Sequence, residues 1–316
     1  MISILQSIAP VIENAQDVKI NQKNLEKFCN NFKGLDTSSF KPPFKSPQMS
    51  YEDKIRLDFA YNSANFCYWQ EPRWSIKYQG KDIQGAFAMK AAFYRAIEDS
   101  YPLTDPSFLS HLHEAEFKNM IRGKNNLQLI PERVNHLRQV GRVLTTKYNE
   151  DVMNIIEKGK GDAINLLDEI TNNFKCYDDS TNYYGHNVMF NKRAQLFVSN
   201  TENTLRVAGK EGLKKVNELT ALADYKVPQI LRHFGILDYS PKLVSKIDNK
   251  QIIEASSPEE IEIRAFTIET IEKMTNILKV NFPDINAIVL DKYLYHESKV
   301  IKEEMKPHHR AISTAH

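Results

Sequence analysis

"SSPEEIEIRAFTIETIEKMTNILKV", residues 256–280, is the stretch that decides the architecture. Ser257 stands where an N-cap stands, with Pro258 at the first helical position and Glu260 at the third, the order that starts a helix. Glu262 and Arg264 fall on the same amphipathic helix, where a solvated pair is the default expectation. The same kind of signal recurs outward from here. Leu25, Phe28, Cys29 and Phe32 repeat at i, i+3, i+4 and i+7, the stripe of a helix with one buried face. "SYEDKIRLDFAYNSANF" (50–66) opens with Ser50 and Asp53 in capping-box spacing. "PDINAIVLDKYLYHESKVIKEEM" (283–305) reads as a last long helix capped by Asp284.

One segment has a different period. "WSIKYQGKDIQG" (74–85) alternates apolar and polar residues around Gln79-Gly80, which suits a small hairpin. Two strands cannot carry a fold, so they form an appendage on a helical body. No fixed-period repeat, low-complexity tract or long linker interrupts the chain, and "KGKGD" (158–162) is a turn. The reading is a mainly α protein, a single domain over residues 1–316, with a hairpin near 75–85.

The totals narrow the function. The 316 residues carry 42 basic and 40 acidic side chains, a formal charge of +2. That leaves no basic mass to hold a nucleic-acid backbone, which needs many phosphate contacts. Three cysteines, Cys29, Cys67 and Cys176, do not make a disulfide framework and suggest a reducing compartment. "MISILQSIAPVIENAQDV" (1–18) lacks the basic start of a signal peptide, and no run of roughly eighteen apolar residues could span a bilayer. The expectation is a cytoplasmic protein, free of membrane, acting on a small molecule.

Nucleotide-binding glycine loops and the Gly-x-Ser-x-Gly elbow are absent. His111 and His113 in "HLHEAEF" are an i, i+2 pair that points to different faces of a helix, so no metal site is expected. Three places remain. "NFCYWQEPRW" (65–74) packs Phe66, Tyr68, Trp69 and Trp74 beside Asn65 and Arg73, either as core or as the wall of a cleft for a flat ring. "VMFNKRAQLFVSN" (188–200) begins a helix with Lys192, Gln195 and Ser199 on one face. Arg193 is turned about 100° from Lys192, so the two cations serve different surfaces. By default Lys192 snorkels to solvent; held inside, it needs a carboxylate. "LADYKVPQILRHFGILDY" (222–239) sets Asp224 ahead of Val227-Pro228 at the mouth of a helix, as an N-cap or as a buried acid paired with Lys192. "AIVLDKYLY" (287–295) adds Asp291 and Tyr295 on one helical face.

Together "NFCYW", "YQGKDIQG", "FNKRAQLFVS", "LTALADYKVPQILRHFGIL", "EIEIRA", "LDKYLY" and "PHHR", in that order, resemble the queuosine salvage family, the queuosine 5′-phosphate N-glycosylase/hydrolases. The resemblance covers the chain from about residue 46 onward; its Lys-Arg-Ala-Gln and Ala-Asp-Tyr-x-x-Pro-Gln blocks are the specific parts. It implies a mostly helical fold similar to helix-hairpin-helix DNA glycosylases, and hydrolysis of the N-glycosidic bond of queuosine 5′-monophosphate to release queuine for tRNA modification. It implies no metal or organic cofactor and no stable nucleic-acid complex.

Carried residue by residue, the resemblance makes Asp224 the catalytic carboxylate and Lys192 its basic partner. Asn65, Phe66, Tyr68, Trp69, Leu222, Asp291 and Tyr295 are expected around the base, with Arg264, Arg310 and Arg193 as candidates for the phosphate. The chain departs from the family pattern at Asn62, at Asn200–Glu202, at Leu222, where an aromatic is common, and at Ile312, where a second arginine is usual. These departures bear on ligand recognition and leave the Asp224–Lys192 pair intact. Two other readings stay open: a helix-hairpin-helix nucleic-acid base glycosylase, and a non-catalytic deazapurine-binding protein.

Overall fold

Ser257 does what its position predicts. Its hydroxyl accepts the Glu260 amide at 3.4 Å, and the helix runs Pro258–Leu278 in the computed structural model, which describes residues 2–34 and 42–315. Fourteen α-helices are found among the described residues, joined by three two-stranded antiparallel pairs. The protein is therefore mainly helical.

Pro258–Leu278 differs from the amphipathic expectation because every residue from Glu260 to Ile268 is buried, with exposure returning at Lys273 and Asn276. The helices Ile4–Asn14, Gln22–Asn31, Val227–His233 and Ala287–Val300 and the strand Val18–Ile20 all pack on it. Glu262 and Arg264, expected as a solvated pair, are only 1 % and 2 % exposed and have different partners. Glu262 accepts the amides of Gln16, Asp17 and Val18 at 3.1, 2.7 and 3.2 Å, and the Tyr183 hydroxyl at 3.0 Å. A buried carboxylate is tolerable only when its lone pairs are filled in this way.

The remaining helices form a second group around Tyr51–Ser63, which packs on Lys192–Val207 and Ile130–Lys147. Ser50 caps its first turn through the Asp53 amide at 3.0 Å. One connected apolar core runs through both groups, from Ile4 through Phe59 and Phe197 to Leu294. The last helix starts at Ala287, and its cap is Asn286, which accepts the Val289 amide at 3.0 Å. Asp284, the expected cap, sits in the turn before it, too early for its carboxylate to serve that first turn.

The expected hairpin is Ser75–Tyr78 paired with Lys81–Gln84. Gln79 and Gly80 turn it at φ 47° and 77°, the two positive values that match the twist of the strands. A second hairpin, Ser180–Tyr183 with His186–Met189, turns at Tyr184-Gly185 and was not expected. It matters for the site, because its two ends bring Asp179 beside Phe190: the Phe190 amide donates to the Asp179 carbonyl at 3.0 Å. The third pair joins Val18–Ile20 to Leu237–Tyr239 across the sequence. No helix among the described residues is long and apolar enough to cross a membrane.

Candidate active site

Lys192 opens the helix Lys192–Val207 after Asn191, which takes a left-handed φ of 49° and offers no side-chain cap. Asp179 supplies the missing acceptor: its Oδ2 receives the Lys192 amide at 3.2 Å. The Lys192 side chain does not snorkel; the residue is 9 % exposed and its ammonium faces a cleft. Burial lowers its pKa; the Asp224 and Asp291 charges oppose that shift, and Arg193 and Arg264 add to it. Arg193 serves a different surface, as its angular position predicts. It donates to the Ser63 carbonyl at 2.8 Å and to that of Cys176, with its guanidinium 5.3 Å from the Phe66 ring.

Asp224 lies across the same cleft, at the mouth of the helix Val227–His233. Its Oδ1 accepts the Lys226 amide at 2.6 Å and the Val227 amide at 3.4 Å. Asp224 is not the N-cap that its position suggested: that place is taken by Lys226, without a side-chain cap, and Asp224 closes the turn just ahead of the helix while it faces the cleft. The two amides fix one of its oxygens, and among the described residues no donor meets the other. The two residues before it are pinned as well. Leu222 donates its amide to Asp291 Oδ1 at 3.0 Å, and the Ala223 carbonyl accepts Arg264 Nε at 3.1 Å. Arg264 in turn grips Asp179 with both terminal nitrogens, at 3.0 and 2.6 Å. No contact ion pair joins Lys192 to Asp224 among the described residues; they share the cleft and each other's field.

Asp291 is 3 % exposed, and its pKa is raised well above the usual carboxylate range. Burial is the main cause and the Asp224 charge adds to it, against the Leu222 amide and the charges of Lys192 and Lys292. The buried carboxyl thus favours its proton, and the other faces the cleft.

The cleft encloses about 190 Å³. Phe66, Tyr68 and Trp69 wall one side, with Tyr225, Tyr295 and His308 opposite or adjoining. The Tyr225 and His308 rings lie 4.6 Å apart at 32°. Asn65 Oδ1 accepts the Tyr68 hydroxyl at 3.0 Å. Beneath the wall sits Arg133, wholly buried. It donates to the carbonyls of Ala64 and Phe66, to Cys67 at 3.2 Å and to Gln128 at 3.1 Å. Its guanidinium lies 4.3 Å from the Phe66 ring centre and 5.0 Å from that of Tyr68.

Charge in the cleft is lopsided. Arg73, Lys192, Lys226, Lys299 and Lys302 face a single carboxylate, Asp224. The Lys226 ammonium is pushed down to about 8, by burial first and then by Lys299, Arg73 and Lys302, with Asp224 opposing. Lys299 is lowered too, by burial and by Arg73. His308 is lowered well below its usual range by burial and by Lys226, which favours the neutral ring. Cations that depress one another in a cleft are arranged for an anion that neutralises them.

Of the residues expected from sequence, Asn65, Phe66, Tyr68, Trp69, Lys192, Asp224 and Tyr295 meet in the cleft. Leu222, Asp291 and Arg264 stand behind it and hold the Asp224 segment. Arg310 braces the wall from outside: it pairs with Glu71 at 2.8 Å, its guanidinium is 5.5 Å from the Trp69 ring, and the Trp69 indole donates to the Ala311 carbonyl at 3.0 Å. None of the arginines expected at a phosphate, Arg193, Arg264 or Arg310, lines the cleft. Besides Lys192, the cations that do are Arg73, Lys226, Lys299 and Lys302. Lys226 could have been found as a neighbour of Asp224, and Lys299 as the residue one turn after Tyr295. Arg73 was legible only as part of the aromatic block, and Asp179 and Arg133 carried no comparable signal.

The sequence profile described as "Queuosine salvage protein" matches residues 45–314. A Sphaerobacter thermophilus protein named queuosine 5′-phosphate N-glycosylase/hydrolase is 33% identical over 313 residues, spanning 98% of this chain and 96% of that one. Proteins of the same name from Bos taurus and Mus musculus are 28% identical over 274 residues and 27% identical over 319. They cover 83% and 95% of this chain, and 80% and 94% of their own lengths.

Proposed function

The chain belongs to the queuosine salvage protein family, and from that premise we propose that it hydrolyses the N-glycosidic bond of queuosine 5′-monophosphate and releases queuine. The observation that supports this reading most is the cleft itself, one carboxylate among five cations beside an aromatic wall. A flat base, a ribose and a phosphate need those three surfaces. Water adds its hydroxyl to C1′ and its remaining proton ends on the departing base, so the products are queuine and ribose 5-phosphate.

Breaking an N-glycoside builds positive charge on the ribose, an oxocarbenium-like state. Queuine is a 7-deazaguanine and lacks the N7 whose protonation would help a purine leave. Stabilising the sugar cation therefore carries more of the burden. Asp224 serves this purpose, held by two backbone amides so that its free oxygen needs no reorganisation as charge develops. Lys192 balances the Asp224 charge in the resting cleft and orients it or the attacking water. Phe66 and Trp69 offer faces to the base. Lys226, Lys299, Lys302 and Arg73 take the phosphate. Three free cysteines support a reducing compartment such as the cytoplasm.

Incubation with queuosine 5′-monophosphate, queuosine and guanosine monophosphate, followed by chromatography, tests the substrate. Free queuine from the queuosine nucleotide and no guanine from guanosine monophosphate is the expected pattern; guanine release at a similar rate would overturn the assignment.

Two further outcomes follow from the electrostatics. Lys192→Met should lower kcat about 100-fold, the size of one well-placed charged group. It should leave the melting temperature at or above wild type, because burial already disfavours the Lys192 charge. A drop in melting temperature with kcat preserved would contradict the role. The second outcome concerns pH. Lys226, at about 8, is protonated below that pH and loses its charge above it. A bound phosphate favours the protonated form, so binding at higher pH must first recover a proton. KM for the monophosphate should therefore rise between pH 7 and pH 9, while KM for the nucleoside stays flat. Equal pH dependence for the two substrates would remove Lys226 from the phosphate site.

A further inference from the structure

The two reacting side chains come from separate segments and do not touch, so something else must fix their separation. Gln195 ties the two segments further back, from the Phe190 carbonyl to the Thr220 amide and hydroxyl, and a second side-chain assembly is bonded right beside both residues. Asp179 Oδ2 accepts the Lys192 amide at 3.2 Å, and its carbonyl accepts the Phe190 amide at 3.0 Å, so it holds the chain on both sides of Asn191. Arg264 donates Nη1 and Nη2 to the same Asp179 carboxylate at 3.0 and 2.6 Å, and Nε to the Ala223 carbonyl at 3.1 Å, one residue before Asp224. The guanidinium also stacks on Phe190, 3.9 Å from the ring centre. The side chains of both partners are nearly sealed from water, at 5% for Asp179 and 3% for Arg264.

A guanidinium is a rigid plane whose N–H directions are fixed. With three donors engaged, the Asp179 carboxylate and the Ala223 carbonyl cannot shift independently. The same assembly adds little to stability by necessity, since a buried ion pair often only offsets its own desolvation. What it supplies is a fixed spacing.

We propose that Asp179 and Arg264 are positioning residues that set the distance and angle between Lys192 and Asp224. This rests on the assignment of Asp224 and Lys192 above. It also reassigns Arg264, expected from the family resemblance to meet substrate, to a role exerted through the Asp224 segment.

The test is steady-state kinetics with queuosine 5′-monophosphate on Arg264→Lys and Asp179→Asn. Asp151→Asn, which breaks the Arg56–Asp151 bridge of comparable geometry away from the cleft, serves as a control for losing an ion pair. Asp224→Asn is measured in the same series. Arg264→Lys keeps the charge opposite Asp179 but cannot reach both acceptors in one plane. The expected result is a fall in kcat of about 100-fold, the effect of a misplacement of about 1 Å. KM should stay within about threefold, and Asp151→Asn should turn over like wild type. A structural ion pair alone predicts that Arg264→Lys restores kcat once folded, and that result would overturn the proposal. If Asp179→Asn does not fold, Arg264→Lys decides alone; if neither folds at 25 °C, the pair holds the fold rather than the spacing and the proposal fails. An active Asp224→Asn would instead sink the underlying assignment, whatever the positioning variants do.

Discussion

Asp224→Asn is expected to release base at least about 1,000-fold more slowly than wild type, which corresponds to about 4 kcal/mol of transition-state stabilisation. The substitution is unusually clean because of how the acid is held. Asp224 Oδ1 accepts the Lys226 and Val227 amides, and an asparagine oxygen can accept both. Asn and Asp side chains close such turns alike, so the start of Val227–His233 should survive and the melting temperature should hardly move. What disappears is the charge. Phosphate and ribose should still dock, against the same cations and aromatic rings, and a nucleotide should bind no more weakly once the like charge of Asp224 is gone. The loss should therefore fall on kcat and leave KM in place. Removing that charge also relieves Asp291, whose carboxyl Asp224 pushes upward. A carbon-13 NMR titration of Asp291 in the variant should show a lower pKa than in wild type, a check independent of turnover.

Arg133→Met is expected to cost on the order of 4 kcal/mol in stability, a large share of the roughly 5–15 kcal/mol that keeps a protein folded. Methionine replaces the volume but leaves the carbonyls of Ala64, Phe66, Cys67 and Gln128 without that donor. The first three lie where the chain leaves Tyr51–Ser63 and becomes the aromatic wall, with Cys67 at a φ of 52°. No regular secondary structure satisfies this stretch, and Arg133 does so in its place. Burial lowers the pKa of the guanidinium, yet four carbonyls and two aromatic faces make its charge tolerable there. Chemical denaturation should show the midpoint shift, and a variant folded at low temperature should bind substrate poorly because Phe66 and Tyr68 lose their support. Unchanged stability would mean the wall is held from elsewhere.

The helices were legible because their signals are local. Ser50, Ser257 and Pro258 mark starts that depend on the next three residues only, and Gln79-Gly80 marks a turn in the same way. Tyr184-Gly185 escaped because tyrosine is a poor advertisement for a left-handed turn, although it adopts one here at φ 47°. The Glu262–Arg264 segment misled for a related reason. A charged pair near a helix start looks solvated, and only the arrival of Asp17, Tyr183 and Asp179 from distant segments makes burial possible. At the site, Asp224, Lys192 and the aromatic block were legible from the family's specific motifs. The cations that line the cleft beside Lys192 were not, because Arg73, Lys226 and Lys299 converge only when three segments fold onto one cleft. The arginines that seemed suited to an anion turned out to be occupied by carbonyls and carboxylates of the protein itself.

The account stands most directly on one measurement: the products formed from queuosine 5′-monophosphate by the wild-type chain and by Asp224→Asn, followed by mass spectrometry. The account predicts equimolar queuine and ribose 5-phosphate from the wild type, and intact nucleotide from the variant over the same time. Intact nucleotide from both, or equal queuine release from both, would contradict it.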